Sequence, residues 1–133
     1  MAAIGIRLQN ATSLYMEGIR DPNARKAVTT YTGARYTQHS TGVANGVERF
    51  IEFFEPFLER NPHRHIEVMR GWEDSRYVFL HVFQSLHVFQ RLNGGEAESV
   101  TTDFIDTDSD GKVVEHGDNV EPVPEHDVNS SKF

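Results

Sequence analysis

The sequence contains no cysteine, which excludes a disulfide framework, a thiolate nucleophile and a zinc–thiolate site. Basic residues are scarce: 13 Lys and Arg stand against 20 Asp and Glu, for a formal net charge of −7. Because a surface of that sign repels a phosphate backbone, we expect no nucleic-acid partner. The Gly-x-Ser-x-Gly elbow of serine hydrolases and the glycine-rich loops that hold phosphate are also absent.

Long apolar runs are missing as well. No stretch approaches the ~18 residues that a membrane helix requires, and the N-terminal MAAIGIRLQN lacks the basic region and apolar run of a secretory signal. We therefore expect a cytoplasmic protein without a membrane partner. A chain of 133 residues can build one domain with a real core but not two. We place this domain at residues 1–125 and expect residues 126–133 to form a polar C-terminal tail.

Local patterns run from helices to strands. Apolar residues at intervals of three and four predict helices, most clearly from Val47 onward, and alternating patterns predict strands. The predicted helices are Ala11–Ile19, Asp21–Thr30 and Val47–Leu58, and the predicted extended segments are Tyr36–His39, Arg64–Arg70, Arg76–Leu92, Ser99–Thr107 and Lys112–Val120. Helices followed by hairpin-linked strands predict an α+β fold, in which a curved antiparallel sheet wraps around the N-terminal helices.

The longest predicted strand contains a duplication, since Leu80-His-Val-Phe-Gln84 is repeated as Leu86-His-Val-Phe-Gln90. The offset of six is even, so a regular strand places Phe79, His81, Phe83 and His87 on one side. A run of this length exceeds the usual strand, and we expect a bulge or bend within it. Asn93-Gly94-Gly95 is then expected to form a hairpin turn.

The last predicted hairpin brings together the residues best suited to catalysis or binding. Asp108-Ser109-Asp110-Gly111 is typical of a tight turn, and a loop centred between Ser109 and Asp110 places Asp103 opposite His116. Asp118 lies two residues beyond His116 and therefore points the same way. Two carboxylates and an imidazole on an otherwise apolar face indicate a site. A three-residue loop with a Gly bulge would shift the pairing by one residue and weaken this arrangement.

Several segments together resemble a known family. They are Tyr36-Thr-Gln-His39, the helix from Gly46 to Phe57, Thr102-Asp103-Phe104, Asp110-Gly-Lys-Val-Val-Glu-His116-Gly-Asp118 and the closing Pro122-Val-Pro-Glu125. Over most of its length the chain is similar to the SnoaL-like polyketide cyclases, often described as predicted aldol-condensation-catalysing enzymes of the nuclear transport factor 2-like superfamily. The chain differs by having Gly117 where the family usually has Trp, and by the repeated LHVFQ segment.

The resemblance implies a cone-shaped α+β fold with a deep apolar pocket, no metal or organic cofactor, and a homodimer formed through the sheet. It also implies that the Asp of the His-x-Asp motif is the acid/base, which is Asp118 here, with Asp103 as a polar pocket residue. We therefore expect a small-molecule ligand and a lyase or isomerase reaction on an apolar carbonyl compound. The residues expected to contact substrate are His39, Tyr36, Phe54, Trp72, His81 and Phe83.

The residues suit proton abstraction beside a carbonyl group, which needs a base and a donor that holds the enolate oxygen. Asp118 can be the base and His116 or His39 the donor, while Asp103 fixes the His tautomer or shares a proton. The same residues also fit a cross-strand polar pair that only pins the register. A non-catalytic binding or dimerising module of this fold therefore stays open.

Further alternatives are weaker. Epoxide hydrolysis or dehydration remains open, but hydrolysis needs an Arg between the two carboxylates, for which Arg91 is the nearest candidate. Asp106-x-Asp108-x-Asp110-Gly111 resembles the start of a calcium loop, but the position of the bidentate Glu is Gly117 and the flanks are strands. The pairs His63-x-His65 and His81/His87 lack a third metal ligand. We expect no metal site.

Overall fold

The structure is a computed structural model that describes residues 5–21, 23–39, 43–62, 64–88, 95–123 and 128. Of the predicted turn Asn93-Gly94-Gly95, the first two residues lie outside the described residues and Gly95 begins a strand. The predicted C-terminal tail lies outside them as well, apart from Val128. Three α-helices precede most of the strands: α1 (Ile6–Tyr15), α2 (Ala24–Tyr31) and α3 (Val47–Arg60). The five strands are β1 (Thr32–Gln38), β2 (Arg64–Glu73), β3 (Tyr77–Val88), β4 (Gly95–Thr107) and β5 (Val113–Pro122).

The expected α+β fold is confirmed, with small differences at the helix ends. α1 begins at Ile6 rather than Ala11 and continues into a π-helical turn, Met16–Arg20. α3 carries Pro56 inside the helix and still runs to Arg60. None of the helices in the described part of the chain is long and apolar enough to cross a membrane.

The sheet is curved and open, with the strand order β1-β5-β4-β3-β2. The four strands from β2 to β5 pair antiparallel, as expected, but β1 runs parallel to β5. The sheet is therefore mixed rather than wholly antiparallel. Hairpin turns fix opposite directions for neighbouring strands, whereas no turn joins β1 to β5 and a parallel pair is allowed.

The β4–β5 register differs by two residues from the predicted one. Asp103 lies opposite Asp118, and Ile105 lies opposite His116. One residue of the shift comes from a longer connection, in which the Asp108 main-chain N–H donates to the Lys112 carbonyl and its Oδ1 accepts the main-chain N–H groups of Asp110 and Lys112, each at 2.9 Å. The other comes from a register irregularity between Asp106 and Thr107. A shift of two residues leaves Asp103, His116 and Asp118 on their predicted face.

The helices cover one face of the sheet, which we call the inner face; the opposite one is the outer face. Val78, Leu80 and Val82 on β3 point inward and are at most 1% exposed. Phe79 lies between them in sequence, points outward and is 40% exposed. The pairing of β3 with β4 is continuous, so the expected bulge is absent from the described β3; a register shift occurs instead in β2, between Val68 and Arg70.

Candidate active site

A cavity of about 250 Å³ lies between the inner face and the helices. Its helical wall is apolar and consists of side chains such as Leu14 on α1 and Phe50, Phe54 and Phe57 on α3. Polar groups enter mainly from the sheet. The polar side chains that line the cavity include Tyr15, Tyr36, Gln38, His116 and Asp118, with Thr101 beside them.

Asp103 lies behind the cavity wall and is fully buried. Its Oδ1 accepts hydrogen bonds from the Tyr15 hydroxyl and from Nε2 of His116, the latter at 2.7 Å. Its Oδ2 accepts the Thr101 hydroxyl, also at 2.7 Å. Three donors from two strands and a helix therefore converge on one carboxylate, which offsets the cost of removing it from water.

His116 is clamped on both sides. Its side chain is only 12% exposed; Nε2 faces Asp103, and Nδ1 lies 2.7 Å from Oε1 of Gln38. The Gln38 amide nitrogen in turn donates to the Tyr36 hydroxyl at 3.1 Å. The ring also meets Tyr15 edge-on, with 6.2 Å between ring centroids. The imidazole thus reaches the cavity in a fixed orientation.

Both tyrosines of this network remain protonated. Burial, and next to it the negative charge of Asp103, raises the pKa of Tyr15 well above its usual value. Burial likewise raises the pKa of Tyr36. Their hydroxyls are therefore available as neutral donors throughout the physiological range.

Asp118 is the carboxylate that lines the cavity itself. It lies directly opposite Asp103 across the β4–β5 ladder. One ring nitrogen of His116 and one oxygen of each carboxylate lie within 4.8 Å of one another. This trio is the group of potential metal ligands found in the described part of the chain, but Asp103 already accepts three hydrogen bonds, so a cation there would have to displace them. The absence of a metal stays a prediction.

The structure brings several predicted residues together. Asp118, His116, Tyr36 and Phe54 line the cavity, and Asp103 lies directly behind them. Three further residues had no predicted role: Tyr15, Gln38 and Thr101. Thr101 could have been found, because it lies two residues before Asp103 on the same strand and must share its face. Tyr15 could not, since only the packing of α1 against β4 brings it to Asp103.

The other four predicted substrate contacts are not among the described residues that line the cavity. His39 follows the end of β1, is 49% exposed in its side chain and pairs with Glu115 at 2.5 Å. Trp72 is 56% exposed and stacks on Phe79. His81 and Phe83 share the outward parity of Phe79 on β3. The alternating pattern correctly grouped the residues of β3, but it does not say which face the helices cover.

The structure also places the motifs of the weaker alternatives. In the suggested calcium loop, Asp106 is held by Arg76 through two hydrogen bonds of 2.7 and 2.5 Å, and Asp108 supports the turn. Both carboxylates are therefore engaged in hydrogen bonds within the protein. Of the proposed histidine pairs, His65 is exposed near Glu67, while His63 and the side chain of His87 lie outside the described residues.

Gly117 faces outward, away from the cavity. A Cβ at this position would lie 2.2 Å from Cζ of Phe104, so the Phe104 ring occupies the space of a side chain. Phe104 and Gly117 are directly paired across the β4–β5 ladder. The missing Trp of the resembled family therefore alters the outer face and not the cavity wall.

No protein-family model and no curated protein matches this chain. Solved structures do. A candidate SnoaL-like polyketide cyclase from Jannaschia sp. CCS1 has a TM-score of 0.70 at 16% identity, covering 87% of this chain and 85% of that chain. A candidate polyketide cyclase from Acidithiobacillus ferrooxidans has a TM-score of 0.70 at 11% identity, covering 91% and 92%. The chain has the fold of the SnoaL-like polyketide cyclases.

The same fold carries other chemistry. An LEH-like epoxide hydrolase from M. tuberculosis has a TM-score of 0.68 at 12% identity, covering 87% of this chain and 83% of that chain. These likenesses confirm the fold that the sequence resemblance implied. Because one fold hosts several reactions, the reaction has to be argued from the side chains of the cavity.

Proposed function

We propose that this protein is a cofactor-independent acid–base catalyst, a lyase or isomerase of the cyclase type, which acts on a small apolar carbonyl compound. The observation that supports it most is the position of Asp118 beside the clamped His116 at the polar end of an apolar cavity. A base and a donor within one enclosed space are the two groups that enolate chemistry requires.

Asp118 is the proposed base. Its carboxylate accepts the proton from the carbon beside the substrate carbonyl, and the electron pair of that C–H bond moves into the enolate. His116 donates a hydrogen bond to the oxygen that becomes negative. Asp103 does not line the cavity and acts as a positioning residue, which orients the imidazole from behind.

The cavity limits the substrate. Its volume of about 250 Å³ lies slightly below the ~300–1,000 Å³ of ordinary ligand pockets, so a compact molecule fits better than an extended one. The phenylalanines of α3 favour an apolar or aromatic skeleton. The two tyrosines, Gln38 and His116 are all at the sheet end, so the carbonyl group points towards the sheet.

Proton abstraction can be measured without knowing the natural product. Small cyclic and aryl ketones are incubated with the protein in D₂O, and deuterium entry beside the carbonyl is followed by NMR. We expect exchange with the wild-type protein and a loss of about 10²–10⁴-fold with Asp118→Asn. Asp110→Asn, the same change at an exposed residue of the β4–β5 turn, is the matched control. Ketone binding without exchange in the wild-type protein would instead support a non-catalytic binding module.

Epoxide hydrolysis is the second candidate, carried by the opposed carboxylates Asp103 and Asp118. The partners of Asp103 among the described residues are two hydroxyls and an imidazole, with no Arg. Arg91 lies outside the described residues. Diol formation from small epoxides that is lost on Arg91→Gln would favour hydrolysis over enolate chemistry.

A homodimer through the outer face belongs to the same proposal. Trp72, Phe79 and Phe104 lie side by side across β2, β3 and β4, and all three are at least 40% exposed. Exposed aromatic groups in a row are typical of an interface core. Sedimentation should give a dimer that Phe104→Lys weakens, while Phe53→Lys on the helical side does not. A monomeric wild-type protein would contradict this assembly.

A further inference from the structure

His116 faces an oxygen on each side of its ring. Nε2 lies 2.7 Å from Oδ1 of Asp103, and Nδ1 lies 2.7 Å from Oε1 of Gln38. A neutral imidazole has one N–H and one bare nitrogen, and therefore cannot donate to both oxygens. An imidazolium can. The 2.7 Å distance to the Asp103 carboxylate also falls in the range of charge-assisted N⁺–H···O⁻ hydrogen bonds.

The orientation of the Gln38 amide decides between these states. If its oxygen and nitrogen were exchanged, the amide would donate to a bare Nδ1 and the ring would be neutral. The groups around the ring favour the first orientation. Asp103 on β4 and Asp118 on β5 bring two carboxylates to it, while Tyr15 on α1 and Tyr36 on β1 remain neutral phenols. A cationic ring compensates a carboxylate that has no access to water.

The backbone fixes Gln38 in this place. Gln38 and His116 are paired residues of the parallel β1–β5 ladder, and the main-chain N–H of His39 donates to the His116 carbonyl at 2.8 Å. The main-chain N–H of Gln38 donates to the side-chain oxygen of Asn45 at 2.7 Å. The amide nitrogen of the Gln38 side chain donates a hydrogen bond to the hydroxyl of the buried Tyr36. Gln38 is thus fixed by its main chain and by its amide nitrogen.

We infer that Gln38 is a positioning residue that keeps both ring nitrogens of His116 protonated, so that His116 is the donor of the site and Asp118 its base. The catalytic meaning of this inference rests on the proposed function, whereas the protonation of the ring does not. Without substrate the Gln38 oxygen accepts the Nδ1–H. A substrate carbonyl oxygen beside the amide shares that N–H, so the amide marks the position of the reacting oxygen.

The test is a count of the ring N–H groups of His116 by ¹⁵N NMR at neutral pH, without substrate. The signals are assigned by their loss in His116→Gln. We expect two protonated nitrogens in the wild-type protein and in Gln38→Glu, which keeps an acceptor at Nδ1. We expect one in Gln38→Met, which removes it. Gln9→Met, at an exposed residue of α1, is the matched control and should keep two.

A bare ring nitrogen in the wild-type protein, or two protonated nitrogens in a folded Gln38→Met variant, would overturn the inference. If Gln38→Met does not fold, as judged by circular dichroism, the wild-type and Gln38→Glu spectra decide. Absence of ketone exchange in a protein whose His116 carries two protonated nitrogens would refute the proposed function but not the role of Gln38. Ketone exchange in a protein whose His116 is neutral would refute the role of Gln38 but not the proposed function.

Discussion

The two faces of the sheet each carry a pair of opposed acidic residues on β4 and β5, and the pairs are held differently. On the inner face, Asp103 opposes Asp118; on the outer face, Asp106 opposes Glu115. The outer pair is bound by two arginines and an exposed histidine: Arg76 makes two hydrogen bonds to Asp106, while Glu115 lies 3.6 Å from Arg35 and 2.5 Å from the His39 imidazole. The identified partners of Asp103 are hydroxyl groups and an imidazole.

This difference separates a structural ion pair from a chemical site. An Arg keeps its charge at every physiological pH and fixes a carboxylate permanently. Hydroxyls and an imidazole stabilise a carboxylate too, but the imidazole can also exchange protons. The inner pair lies at the cavity, since Asp118 lines it and Asp103 lies directly behind its wall. Substitutions in the two pairs should therefore differ in their effects.

The largest effect is expected for Asp103→Leu. This change removes the acceptor of Tyr15, Thr101 and His116 at a fully buried position, and we expect a loss of about 3–5 kcal/mol in the free energy of unfolding. Urea denaturation followed by circular dichroism measures it. Asp110→Leu in the exposed turn should stay within about 0.5 kcal/mol of wild type. Equal losses in the two variants would contradict the buried network.

A smaller and pH-dependent effect is expected for Asp106→Asn. Hydrogen bonds from Arg76 hold the pKa of Asp106 below its usual value, so its ionised form stabilises the folded state. This contribution is present above the unfolded pKa of about 4 and is lost as the pH falls below it. The difference in Tm between wild type and variant should therefore shrink as the solution is acidified. A difference that grows at low pH would contradict the assignment.

The smallest effect is expected for Gly117→Ala on the outer face. The new Cβ would overlap the end of the Phe104 ring, which is 43% exposed and can turn away. We expect a loss of about 1 kcal/mol and a shifted Phe104 ring signal in NMR, with ketone exchange unchanged. A large fall in exchange would show that the outer face influences the cavity.

The sequence predicted the two faces better than the contacts between strands. The alternation of apolar and polar residues correctly placed Asp103, His116 and Asp118 on one face, because a strand has only two faces to offer. It paired Asp103 with His116 instead of Asp118, because the hydrogen bonds of Asp108 create a longer turn and a register irregularity between Asp106 and Thr107 adds a further residue. Register depends on such turn geometry, which composition alone does not specify.

The sequence did not predict the contacts between residues that are far apart in the chain. Tyr15 and Asp103 are 88 positions apart, and Gln38 and His116 are 78 positions apart. Nothing local in either segment encodes the other, since the contact arises when α1 and β1 pack against the last hairpin. Similarly, the pattern of β3 showed that Phe79, His81 and Phe83 share a face. It did not show that this is the outer face, which the helices do not cover.

The comparison is tested most directly by measuring ketone α-proton exchange in Asp118→Asn and in Asp106→Asn, one acidic residue from each face. We expect the inner-face change to lower exchange by about 10²–10⁴-fold, while the outer-face change leaves it close to the wild-type rate in a folded protein. Wild-type exchange in Asp118→Asn, or an equal loss in both variants, would contradict it.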